Sequence, residues 1–208
     1  MTRRTLMLAL PAVLAACGAS LLPKPAAAPA RFGLDDGVTP GPRQTAPRQP
    51  LATAPVLLVA SPRAASGLDS TRMLYLGAAG DLRAFAFHAW IDSPARLLAP
   101  LMVQTLQASG LFGAVLLAPS AGRATLRLET ELLRLQHQFD TRPSRVHLAL
   151  RAVLLDGTTR QVLGWRQFEA MADAPSEDAA GGVAAARTAT RQLLAALGAA
   201  CAGWMPPA

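Results

Sequence analysis

Cys17 is the residue best placed to undergo chemistry. It closes the run Leu14-Ala15-Ala16-Cys17, behind an apolar stretch from Leu6 to Ala16 broken only by Pro11 and headed by Arg3 and Arg4. A basic head, an apolar stretch and small residues at its end make a secretory signal, and that stretch is too short to span a bilayer. A leucine three places ahead of the cysteine turns the signal into a lipobox. Cleavage is therefore expected between Ala16 and Cys17, leaving Cys17 as the first mature residue with a diacylglycerol on its sulfur and an acyl chain on its new amino terminus. Arg3-Arg4 also loosely resembles a twin-arginine signal, so the export route stays open.

The other reactive side chains are few and scattered. Cys201 has no disulfide partner once Cys17 carries lipid, and its alanine-rich helical setting reads as a small buried hydrophobe. His88, His137 and His147 lie on three different predicted strands. His137 and His147 are expected to face each other across a hairpin over 125–156, yet two histidines without a further ligand do not make a metal site. Glu129 and Glu131 share one strand face, as a pair of catalytic carboxylates would. Arg127 beside them and Arg145 or Arg151 on the next strand are the simpler partners. The sequence holds no H-E-x-x-H, no G-x-S-x-G and no phosphate-cradling glycine loop.

Charge narrows the partners. Twenty Lys and Arg face 13 Asp and Glu, a net charge of +7, and loss of Arg3 and Arg4 with the signal lowers it by two. Lys24 is the sole lysine. Export and the lack of any basic–aromatic cluster argue against nucleic acid; the arginine excess reads first as a solvated face, with anionic headgroups or an acidic partner as the alternative it would suit.

The elements that must carry these residues are legible from their periods. Residues 18–55 hold eight prolines, which suit a tether over 17–30 and a surface loop over 37–54 better than a helix or a central strand. Arg31-Phe32-Gly33-Leu34 between them reads as a short edge strand. Strands are expected over Pro55–Ala60, Arg72–Leu76 and Leu82–Trp90, with the rings of Phe85 and Phe87 on one face. Trp90 is expected to anchor the core where strand gives way to helix.

Asp92-Ser93-Pro94 offers a cap and a first-turn proline for a helix with a Leu97, Leu98, Leu101, Thr105 and Ala108 stripe. Ser109-Gly110 closes it and Pro100 is expected to kink it. Leu111–Ala118 reads as a strand, followed by two long period-two segments, Thr125–Phe139 and Ser144–Asp156. In the second, Val146, Leu148, Leu150, Ala152 and Leu154 share a face opposite Arg145, His147 and Arg151. The first changes parity between Leu132 and Leu133, which implies a bulge or a projecting strand end. A strand over Gln161–Ala172 and a helix over Val183–Cys201, preceded by Gly181-Gly182 and followed by Gly203, complete the chain. The expected fold is α+β: a mostly antiparallel twisted sheet with two main helices on one face, forming a single domain over 31–204, with 205–208 a tail.

These landmarks resemble the ABC-type transport auxiliary lipoprotein family, the companions of Mce-domain and paraquat-inducible-type intermembrane lipid transport systems. The resemblance rests on the lipobox Cys17, Phe32-Gly33-Leu34, the Val56 to Pro62 strand, and the run from Phe85 through Phe87, Trp90, Asp92 and Pro94. It continues through Leu106, Ser109-Gly110, Leu111-Phe112 and Val115 to Leu126–Glu129, Pro143-Ser144 and Gly181-Gly182-Val183. Positions 32 and 85 are phenylalanine where the family carries tyrosine. The motif is one of spaced apolar and aromatic residues, so Phe85, Phe87, Trp90, Asp92, Pro94, Ser109, Gly110 and Phe112 read as structural.

The resemblance implies no catalytic residue, no metal and no cofactor beyond the lipid on Cys17. It implies a lipid-anchored periplasmic adaptor at the outer membrane whose partners are an Mce-domain protein and its ABC permease and ATPase; Gly18 after Cys17, in place of aspartate, agrees with that address. Self-association stays open. The competing readings are a lipid- or solute-binding lipoprotein with an apolar pocket between the 94–109 helix and the sheet, and a hydrolase using His88, His137 or Glu129.

Overall fold

The computed structural model describes residues 28–35, 54–77 and 79–205. Cys17, the signal before it, the tether through residue 27 and the proline-rich stretch 37–53 lie outside the described residues. The elements run β1 (Ala30–Phe32), β2 (Val56–Val59), β3 (Arg63–Ala64), β4 (Arg72–Leu76), β5 (Leu82–Trp90), α1 (Pro94–Ala108), β6 (Ala114–Leu117), β7 (Leu126–Gln138), β8 (Arg145–Asp156), β9 (Val162–Asp173) and α2 (Ala179–Trp204).

One strand is the spine. On one side, β7 pairs antiparallel with β8 along almost its whole length, and β8 in turn with β9. On the other side, three short strands share β7 end to end in parallel: β2 at Leu126–Leu128, β3 at Glu131–Leu132 and β4 at His137–Gln138. Beyond them β6 extends β2, β5 extends β4, and β1 edges β5. The nine strands form one open mixed sheet whose long ladders are antiparallel. The fold is α+β, with both helices on one face.

The bulge foreseen in β7 sits where the parity changes. Register against β8 slips between Leu132 and Arg134. Leu126, Leu128, Thr130 and Leu132 are buried before it, and Leu135 and His137 after it. One extra residue thus moves the inward face from even to odd positions. On β8 the alternation is unbroken, and Val146, Leu148, Leu150, Ala152 and Leu154 are all buried. Each such leucine contributes about 1.5–3 kcal/mol relative to an exposed one.

Four expectations need correction. The buried arc of α1 is Ala95, Leu98, Ala99, Met102 and Leu106, while Leu97, Leu101 and Thr105 are half-buried and Ala108 exposed. The helix meets α2 as well as the sheet, and two neighbours turn the arc by about one position. β6 begins at Ala114 rather than Leu111, because Gly110 ends α1 in the left-handed region at φ 71° and Phe112 is drawn into the core. The rings of Phe85 and Phe87 do not share a face. The register of β5 against β4 slips between Ala84 and Ala89, which sends Phe85 toward the helices and leaves Phe87 63% exposed.

The last correction concerns α2, which takes in Gly181, Gly182 and Gly203 instead of lying between them. Asp178 caps it by accepting from the Gly181 N–H at 2.8 Å. Any side chain at Gly181 would strike the Ser176 backbone, and a Cβ at Gly182 would stand 2.5 Å from His137 Nδ1. Glycine is therefore required in a first turn that its low helix propensity would otherwise disfavour. At the other end the helix continues until Trp204 covers Gly164 and packs on Phe168, centroids 6.1 Å apart.

Candidate functional site

The chemistry-bearing side chains divide between the two faces of the sheet. On the covered face, β7 places His137 under the first turn of α2, where it is 4% exposed. Its Nε2 lies 2.8 Å from Ser144 Oγ, and the Ser144 N–H donates to Glu177 Oε1 at 2.8 Å. His137 Nδ1 has no hydrogen-bond partner among the described residues. Burial lowers the His137 pKa despite the opposing pull of the Glu177 and Asp178 carboxylates. Those two carboxyls are themselves held low, Glu177 by the Ser144 N–H and Asp178 by the Gly181 N–H.

A serine hydrogen-bonded to a histidine suggests a nucleophile and its base. Ser144 is fully buried, however, and Glu177 binds its backbone rather than the free nitrogen of His137. The serine is closed off from solvent. The rings of Phe85 and Phe139 pack on His137, centroids 6.3 and 4.1 Å away, and Phe85 in turn meets Tyr75 at 4.8 Å and His88 at 5.9 Å. The cavity beneath, lined by Met73, Phe85, Trp90, His137, Gly182 and Ala186, has a volume of about 10 Å³. That is room for a water, not for an acyl chain. The space expected between α1 and the sheet is filled by Leu98, Met102 and Leu106.

On the open face, β7, β8 and β9 align their odd-parity residues in rows. Glu129, Val153 and Trp165 make one row, and Glu131, Arg151 and Gln167 the next. Past the bulge come Arg134, Ala149 and Glu169, then Gln136, His147 and Met171. Arg127 pairs with Glu129 at 2.8 Å and Arg151 with Glu131 at 3.3 Å, so the two acidic residues have the arginine partners read for them. Arg145 does not join: it sits opposite Gln138 and Asp173, and its buried Nε has no hydrogen-bond partner among the described residues.

His147 does not face His137, because the bulge sets it against Gln136 and so on the other side of the sheet. Arg134 lies 3.1 Å from its Nδ1 and Glu169 3.1 Å from its Nε2. Since a guanidinium only donates, Nδ1 accepts and Nε2–H donates to the carboxylate. His88 stacks on Phe32, centroids 6.0 Å apart, and Glu129 is on the opposite face. The three residues of the hydrolase reading are not brought together. Among the described residues no three His, Cys, Asp or Glu side chains could hold a metal ion.

The landmark residues flank α1, with Phe85, Phe87, Trp90, Asp92 and Pro94 at its start and Ser109, Gly110 and Phe112 beyond its end. Trp90 is 4% exposed in the core and Phe112 likewise. Pro94 starts α1; Asp92 accepts from the Ser93 N–H at 2.7 Å and pairs loosely with Arg96 at 3.6 Å. Ser109 donates to the Leu106 carbonyl at 2.6 Å, closing the helix ahead of Gly110. Cys201 is fully buried, which pushes its thiol up to about 11.

What sequence reasoning missed is β9 itself as a surface. Among the described residues β9 pairs only with β8, so its outer edge is open over twelve residues, and Val162, Trp165 and Met171 are 53, 67 and 47% exposed. The signal was present in Trp165 and Met171, large apolar residues at the wet positions of an alternating strand. A sealed core beside an open, partly apolar sheet edge can bind another macromolecule.

Residues 38–198 match the family of the ABC-type transport auxiliary lipoprotein component, and the chain belongs to that family. It is thus an auxiliary lipoprotein component of ABC-type transport, associated with the cell envelope. The protein XCC0632 from Xanthomonas campestris, of the DUF330 family, has a similar crystal structure, with a TM-score of 0.66 at 24% identity over 75% of this chain and 90% of that chain. An uncharacterized protein's crystal structure reaches 0.65 at 11% identity, over 84% of this chain and 99% of that one. The protein CT253 from Chlamydia trachomatis reaches 0.52 at 10% identity, over 73% and 97%. These likenesses establish the fold. No curated protein matches the chain. No helix among the described residues is long and apolar enough to cross a membrane.

Proposed function

We propose that this chain is a non-catalytic docking lipoprotein, held by the lipid on Cys17 at the periplasmic face of the outer membrane. There it receives the Mce-domain component of an ABC-driven system that moves lipid between the two membranes. The observation that carries the reading is the family match over 38–198. The lipobox supplies the anchor, since thioether-linked diacylglycerol plus an amide-linked chain exceeds the two signals that stable membrane attachment needs. The open edge of β9, with Trp165 and Met171 outward, is the surface assigned to the partner. Aromatic residues on an otherwise polar face are the usual anchors of such contacts.

Affinity capture of the lipidated protein from solubilised envelopes tests this reading. Recovery of an Mce-domain protein is expected, and recovery of cell-wall enzymes alone would overturn it. Cys17→Ser should release the protein from the envelope fraction.

A further inference from the structure

A second exposed patch lies at the opposite end of the sheet, where the tether enters. Ala89 of β5 pairs with Arg31 of β1 on one side and with Arg72 of β4 on the other. Directly paired residues point to one face, and so do residues two apart along a strand. Arg31, Arg72, Phe87 and Ile91 therefore stand together on the face away from the helices. The opposite face at this point holds Trp90 and Phe32, both packed against the core. The Ile91 N–H donates to the Phe32 carbonyl at 2.9 Å, and its Cδ1 lies 3.5 Å from where a Gly33 side chain would start, which extends the pairing beyond β5.

Phe87 is 63% and Ile91 51% exposed. Both arginines are exposed, and among the described residues neither has an ion-pair partner. Asp35 sits at the rim beside Gly33. An aromatic and an aliphatic side chain flanked by two free guanidinium groups suit a surface that is apolar within and anionic outside.

The position of the patch identifies that surface. Cys17 precedes Ala28 by eleven residues, a reach of at most roughly 40 Å when fully extended. The chain then passes straight into β1, which itself supplies Arg31. We infer that Phe87, Ile91, Arg31 and Arg72 form a second, reversible contact with the anionic phospholipid leaflet that holds the lipid of Cys17. This rests on the anchoring reading above and deepens it: the anchor fixes the distance and the patch fixes the orientation, leaving β9 away from the membrane.

The test uses the mature lipidated protein in vesicles of phosphatidylcholine with roughly a third phosphatidylglycerol. Nitroxide labels go on Phe87→Cys, on Ile91→Cys and, as a control, on Trp165→Cys; buried Cys201 is left unlabelled. Labels at 87 and 91 should collide with oxygen more than with a water-soluble nickel chelate, and the label at 165 should do the reverse. Arg31→Gln with Arg72→Gln should lower the ratio of seated to unseated label by roughly ten- to thirty-fold, at about 1 kcal/mol per arginine near an anionic surface.

A label at 87 as open to nickel as the one at 165, in protein that floats with the vesicles, overturns the patch and leaves the anchor intact. A label shielded from both reagents means that protein covers the patch, and also overturns it. Protein that does not float refutes the anchor and the patch together.

Discussion

Two histidines ten residues apart, on neighbouring strands, meet opposite fates. His137 lies on the helix-covered face with one nitrogen on Ser144 and the other without a partner among the described residues, and burial lowers its pKa. His147 lies on the open face with both nitrogens engaged, between Arg134 and Glu169. Both are 4% exposed. Burial alone therefore says little about a side chain's role; what covers it decides. A helix end covers His137 with backbone and apolar rings, whereas long charged side chains cover His147 and leave it at the edge of water.

The largest effect is expected at Leu135, which the bulge brings onto the covered face, where it is 4% exposed. Leu135→Asp would bury an unpaired carboxylate beneath the helices, and loss of a cooperative thermal transition is expected; native-like unfolding would show that position 135 does not lie on the covered face.

A smaller injury is Gly182→Val, which drives a side chain into His137. It should cost about 1–3 kcal/mol for overpacking and raise no new activity, measured by denaturant unfolding. Asp178→Ala removes the cap over the same site and should cost about 0.5–2 kcal/mol by the same measurement.

The pH dependence separates the faces next. His137 titrates below its ordinary value when folded, so below about pH 6.5 the unfolded chain takes a proton that the folded chain refuses. Stability thus rises with pH through that window and is lost on acidification. His137→Gln should flatten the slope of melting temperature between pH 6.5 and 5. An unchanged slope would mean that the covered face is wet. Least of all is expected of the open-face pair: a double-mutant cycle on Glu131 and Arg151 should give about 0.2–1 kcal/mol, as for other half-exposed ion pairs.

Much of this plan was legible in the chain. The strands at 72–76 and 82–90, the helix opening at Pro94, the bulge, and the partners of Glu129 and Glu131 follow from period, capping and cross-strand charge. The misplacements share a cause, which is packing between distant segments. Gly182 looks like a helix breaker until His137 is beneath it, and the α1 stripe cannot reveal that α2 lies alongside. Phe87 parted from Phe85 because β5 carries residues that β4 does not match, and no alternation count within one strand shows that. The outward Trp165 was readable as an aromatic at a wet position; that β9 is the sheet's open edge was not.

The proposed docking of the leashed protein through its β9 edge is measured most directly by a photo-crosslinking residue in place of Trp165 in growing cells. An adduct with an Mce-domain protein, absent when the same residue replaces Gln192 on the exposed side of α2, is the predicted result. Adducts from position 192 with none from 165 would contradict it.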